Sequence, residues 1–120
     1  MWRDEASIID MINTCDSLIR IASQNDFTSY SNDEDKCRLS ERYFAILGEA
    51  AGRITDETKK HSPEIPWSAW VGLRNIVVHQ YSKIDYAKLW DLMISAVPEL
   101  LEQLKKLRDS SARNSDSYPC

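Results

Sequence analysis

Ile8, Ile12, Cys15, Ile19 and Ala22 recur at spacings of four, three, four and three, with Met11 and Leu18 thickening the row. Apolar residues at that period share one side of an α-helix, so the pattern predicts a bundle helix over residues 2–24. The polar segment Asp26-Phe27-Thr28-Ser29-Tyr30-Ser31-Asn32 follows, read as a loop that pins Phe27 or Tyr30 onto the bundle. Asn32 or Asp33 can cap a second helix, with Glu34 and Asp35 favourable at its positive end. Leu39, Tyr43, Ile46, Leu47, Ala50 and Ala51 carry it to about Gly52. Gly48, Ala51 and Gly52 make part of this helix thin enough for a neighbour to approach closely. Glu49 lies beside the thin stretch, and the pattern gives it no role.

Thr55 is the expected cap of a short helix through His61, closed by Pro63. Pro66 suits the first position of the next helix, where its missing N–H costs nothing. That helix is expected to end near Ser82. Asp85 caps a long final helix with Leu89, Met93, Ala96, Val97, Leu100, Leu101, Leu104 and Leu107 on its apolar side. Pro98 should kink it by removing the bond to the Ile94 carbonyl. From Asp109 the chain turns Ser-, Asp- and Arg-rich, as disordered tails do. The expectation is an all-α, up-and-down bundle of four main helices plus one short helix. One domain occupies residues 1–108, and residues 109–120 form a disordered tail.

Composition narrows the classes of function. A chain of 120 residues suits one hydrophobic core and is too short for two. No run approaches the roughly 20 apolar residues of a membrane span, and Met1-Trp2-Arg3-Asp4-Glu5 is too polar for a signal peptide. Cys15, Cys37 and Cys120 have no metal-ligand spacing and cannot all pair within one chain, which points to a reduced, cytoplasmic protein. Net charge is −4, with ten acids and five bases in residues 1–49 against nine and ten in residues 50–120. A broad basic nucleic-acid surface is therefore not expected, while a local site for one or two phosphates remains open.

The candidate chemistry lies in Arg74-Asn75-Ile76-Val77-Val78-His79-Gln80-Tyr81, preceded by the largely apolar Trp67-Ser68-Ala69-Trp70-Val71-Gly72-Leu73. A helix this apolar belongs in a core or a subunit interface, where an arginine needs a reason. Asn75 and His79 are four apart and share a face, and Arg74 and Tyr81 are nearly in line if the helix persists. Arg74 and His79 diverge by about 140°, a gap the long arginine side chain can shorten so that all four groups meet at one patch. A lone histidine near a helix end is commonly a cap partner, and a lone arginine half of an ion pair. Together with Asn75 and Tyr81 they suit metal-free cleavage of RNA. The imidazole can take or give a proton near neutrality, and the guanidinium can grip a phosphate. One histidine cannot readily serve as both base and acid; a two-fold dimer supplies two. Trp67, Trp70 and Trp90 read as core or interface residues, and His61 as an exposed helix end.

Arg74, four residues, His79, one residue and Tyr81 resemble the signature of the HepT-like toxins of the HEPN superfamily. Ala45-Ile46-Leu47-Gly48-Glu49-Ala50, Pro63-Glu64-Ile65-Pro66-Trp67, Gly72-Leu73-Arg74-Asn75, His79-Gln80-Tyr81 and Val97-Pro98-Glu99-Leu100 are similar to that family in order and spacing, over roughly residues 4–107. The resemblance implies an all-helical HEPN homodimer with both motifs facing one cleft. It implies the toxin of a type VII toxin–antitoxin pair, a metal-independent ribonuclease acting in some members on transfer RNA. Arg74 and His79 would be catalytic and Asn75 supporting, with no cofactor in the chain itself. The partner implied is an MNT-type nucleotidyltransferase antitoxin, which would use ATP and magnesium to place AMP on Tyr81. The alternative is a non-catalytic HEPN module that binds nucleotide or substrate for a nucleotidyltransferase.

Overall fold

The computed structural model describes the backbone of residues 2–116, and the side chains of these apart from residue 81 and residues 112–116. Its long helices are α1 (Glu5–Ser23), α3 (Glu34–Arg53), α5 (Trp67–His79) and a final composite helix. Two short ones intervene, α2 (Phe27–Ser31) and α4 (Asp56–His61). The final helix joins α6 (Tyr86–Asp91), a π-helical turn (Leu92–Ala96) and α7 (Val97–Asp116). The architecture is the expected all-helical bundle. α7 continues past Asp109, where the tail was expected to start, and residues 117–120 lie outside the described residues.

The caps sit where the sequence puts them. The Asp33, Thr55 and Asp85 side chains accept from the backbone N–H of Lys36, Thr58 and Lys88, each relieving an unpaired donor of a first turn. α2 replaces the expected loop. Asp26 accepts from the Ser29 N–H at 2.8 Å, and the Ser29 hydroxyl accepts from the Asp26 N–H at 3.0 Å, a reciprocal capping box. Of the two aromatics expected to pin this segment, Tyr30 is fully buried and hydrogen-bonded to Ser40 at 2.7 Å, while Phe27 remains 40% exposed against the edge of Trp90.

α3 lies between α1 and α5, and α1 also packs on α7. Ile8, Met11, Cys15 and Leu18 of α1 meet Phe44, Leu47 and Ala51 of α3 and Val97, Leu100 and Leu104 of α7 in one core. Cys15 and Cys37 are free thiols, and burial pushes Cys15 up to about 12, leaving it without thiolate character. At Pro98 the backbone adjusts before the ring arrives. The Val97 N–H bonds the Leu92 carbonyl five residues back, a widened turn directly ahead of the proline.

A buried charge sits at the N-terminus. Asp4 is 3% exposed and accepts from the Thr55 N–H at 3.2 Å, Thr55 Oγ1 at 2.7 Å and Thr58 Oγ1 at 2.5 Å. Burial pushes this carboxyl up, but the bonds from Thr58 and Thr55 outweigh it and hold it below the ordinary carboxylate range. It therefore ties the start of α1 to the α3–α4 corner.

Asp4→Asn should destabilise the protein by about 1–3 kcal/mol in urea titrations at neutral pH. Because the folded carboxyl lies below its unfolded value near ~3.9, wild type should lose that margin as pH falls through the folded value, and the two curves should converge there. The glycines should respond oppositely. A Cβ on Gly48 would stand 2.2 Å from Arg74 Cβ and 2.6 Å from the Trp70 carbonyl, whereas one on Gly72 meets nothing within 4 Å. Gly48→Ala should cost at least about 1–3 kcal/mol, and Gly72→Ala should stabilise α5 by up to about 1 kcal/mol, both read by thermal denaturation.

Candidate active site

The site is built on the crossing of α3 and α5. Trp67 and Trp70 drive the first turn of α5 inward, and Trp70 stacks on Phe44 of α3 with centroids 6.5 Å apart and planes 8° from parallel. Four residues later on the same side comes Arg74, whose Cβ passes over Gly48. The lack of a side chain at Gly48 lets the two backbones approach so closely.

The Arg74 side chain then runs along α3. Its Nη2 lies 3.7 Å from Glu49 Oε1, and its Nη1 donates to Asn75 Oδ1 at 3.2 Å. Nε is buried with no partner among the described residues. The Arg74 and Glu49 side chains are 31% and 32% exposed, so their attraction is screened and contributes about 0–1 kcal/mol to stability. Gly48, Glu49, Gly52, Arg53, Val71, Arg74 and Asn75 line a shallow, open groove of about 300 Å³ beside the pair. Among the described residues no three His, Cys, Asp or Glu side chains gather in a metal-binding group.

Of the sequence-derived candidates with described side chains, Arg74, Asn75 and His79 are not joined into one hydrogen-bonded cluster within the chain. Arg74 and Asn75 are paired, but neither bonds to His79 among the described residues. His79 is exposed at the last position of α5, about 7.5 Å farther along the axis. The expectation that α5 runs to Ser82 is corrected. Gln80 leaves the helical region at φ −124°, ψ 34°, and Tyr81 begins a 3₁₀ turn, Tyr81–Lys83. Val77 is the last buried residue of α5, and the β-branched run Ile76-Val77-Val78 adds little helix propensity to carry it farther. Tyr81 is therefore not in line with Arg74, and its side chain lies outside the described ones.

Nor does the bundle absorb α5 on all sides. Trp67, Trp70 and Val77 are buried, while Ile76 and Val78 are 41% and 39% exposed, beside the exposed Asn75 and His79. Of the two expected settings for this apolar helix, the core of one chain takes only part. Trp90 is half-buried, touching Tyr30 and Phe27. Glu49 is the residue the sequence reading left without a role; its position next to Gly48 was the available signal.

A family model described as "Ribonuclease HepT-like" matches residues 11–107. A Methanocaldococcus jannaschii protein provisionally named an RNase is 29% identical over 101 residues, covering 84% of this chain and 93% of that protein. One from Caldanaerobacter subterraneus, also provisionally named an RNase, is 26% identical over 97 residues, 81% of this chain and 87% of its own. A Thermococcus cleftensis protein provisionally named ribonuclease HepT is 34% identical over 67 residues, 56% of this chain and 61% of its own. No solved structure matches the chain.

Proposed function

Because the chain belongs to the HepT-like ribonuclease family, we propose that it is a toxin endoribonuclease that cuts RNA without a metal ion. The observation that carries the reading is the disposition of α5. An arginine held at the edge of an open groove and an exposed histidine at the same helix's end flank the exposed Ile76 and Val78. In this reading Arg74 holds the scissile phosphate and offsets the charge that grows on its oxygens, with Asn75 steadying the guanidinium. His79 removes the proton from the ribose 2′-hydroxyl. The freed oxygen attacks phosphorus, and the bond to the 5′-oxygen breaks as a second acid supplies its proton, leaving a cyclic phosphate and a 5′-hydroxyl.

A single chain offers one motif histidine, on a helix whose apolar outer residues lack cover. A two-fold homodimer joined along α5 would cover them and bring the partner's copy of the motif as the second acid. The substrate in this reading is transfer RNA and the setting cytoplasmic; no helix among the described residues is long and apolar enough to cross a membrane. Silencing falls to a nucleotidyltransferase antitoxin of the MNT type that transfers AMP from ATP to Tyr81. A phosphodiester two residues from His79 would compete for Arg74 and obstruct the cleft. The net charge of −4 favours a second reading, a HEPN module that presents nucleotide or substrate to the nucleotidyltransferase without cutting.

Arg74→Ala and His79→Ala should each lower RNA cleavage in EDTA by on the order of 10²–10⁴-fold with the helical circular dichroism unchanged. Full cleavage by pure His79→Ala protein would remove the nuclease reading, and harmless expression of the wild type without its partner would favour the binding module. Incubation with the antitoxin, ATP and magnesium should add adenylyl mass to the wild type and none to Tyr81→Phe; modification that persists in Tyr81→Phe would refute the assigned acceptor.

A further inference from the structure

We propose that Glu49 is a positioning residue for the cleavage reaction, holding the Arg74 guanidinium in the orientation that grips phosphate; this rests on the ribonuclease reading above. The arginine is fixed at its base, because its Cβ and the Trp70 carbonyl crowd Gly48. Its head would otherwise be free to sweep the open groove. Glu49 Oε1 faces Nη2 from α3 at 3.7 Å, and Asn75 Oδ1 accepts from Nη1 at 3.2 Å, so the guanidinium is restrained at both terminal nitrogens. With five N–H donors in a rigid fork, an arginine restrained in this way still has donors to offer a phosphate. Arg53 also lines the groove, so a second cation borders it beside the restrained head.

The fold does not need this carboxylate. The α3–α5 crossing is made by Gly48, Phe44 and Trp70, and the Arg74–Glu49 pair is about one-third exposed. For RNA affinity the carboxylate is unfavourable, since it repels phosphate and cancels one of two cations lining the groove. Those opposite signs separate a positioning role from a merely structural or solvated one. Replacing Glu49 by its neutral isostere should improve binding and harm the chemical step.

Steady-state RNA cleavage by the full chain, joined to ¹⁵N NMR of the Arg74 Nε–H, tests this. Glu49→Gln is expected to melt with the wild type, to keep or lower KM, and to lower kcat on the order of 10- to 100-fold. In an Arg74→Ala background the same change should cost nothing further, since the two act as a unit. The Arg74 Nε–H resonance should shift or broaden as the head loses its restraint. Glu49→Asp keeps the charge but withdraws it by one methylene, and should fall between the two; it serves as the second variant if Glu49→Gln fails to fold. Wild-type kcat in either folded variant, or an equal loss in the Arg74→Ala background, overturns the proposal. If the wild type itself fails to cut RNA, the ribonuclease reading falls. An unmoved Arg74 resonance in Glu49→Gln then separately overturns the positioning role.

Discussion

At Gly48 the backbone of one helix rests on the Cβ and carbonyl of another, and the rest of the site is arranged around that contact. A side chain there would push α5 outward. Trp70 would lose its stacking on Phe44, and Arg74 would be lifted from the edge of α3. The crossing is set by close packing, which yields only in discrete steps. Its consequence is electrostatic, because it brings a cation from α5 against a carboxylate of α3 in a place that water still reaches. The chain thus uses a tightly packed crossing to locate an arginine whose Nε is buried without a partner among the described residues.

Where a signal is local, the sequence shows it plainly. Asp33, Thr55 and Asp85 are caps in the sequence and in the structure because a cap depends on four consecutive residues and little else. The apolar spacing of α1 reports its buried side in the same way, although that side is centred on Met11, Cys15 and Leu18, and Ile19 and Ala22 of the 4-3-4-3 row are only partly buried. α2 was obscured by its own composition: Asp26 and Ser29 look like loop residues, yet together they form the capping box that starts a helix. Glu49 could not be interpreted before the crossing was known, since its partner lies 25 positions away on another element. Its neighbours Gly48 and Gly52 advertised a close approach without saying by what.

The site itself was legible as composition and misleading as geometry. Arg74, Asn75 and His79 stand on α5 as the residue pattern indicates, but α5 stops at His79, and within one chain the arginine turns to α3 while the histidine faces out. Periodicity gives the angle between two residues on a helix and is silent about where the helix ends. That end depends on the last buried anchor, Val77, and on the next cap, Asp85. The buried Asp4 shows the same limit from the other side. An acid in a polar N-terminal segment reads as solvated until the fold brings Thr55 and Thr58 to it across more than 50 residues of chain.

The π-helical turn at Leu92–Ala96 does more than accommodate a proline. One residue inserted into an α-helix advances the phase of everything beyond it by roughly 100°. Upstream, α6 packs against α2 and donates from Tyr86 to Glu41 of α3; downstream, α7 packs against α1. Wound as an uninterrupted α-helix, the same sequence would carry α7 out of step with α6 by that angle, and Leu89 and Met93 could not face the core that Val97, Leu100 and Leu104 fill. The wide turn takes up the extra residue and keeps both halves on their partners. The last helix thus holds one residue of slack, and deleting it would return the turn to a regular α-helix with both halves still facing inward.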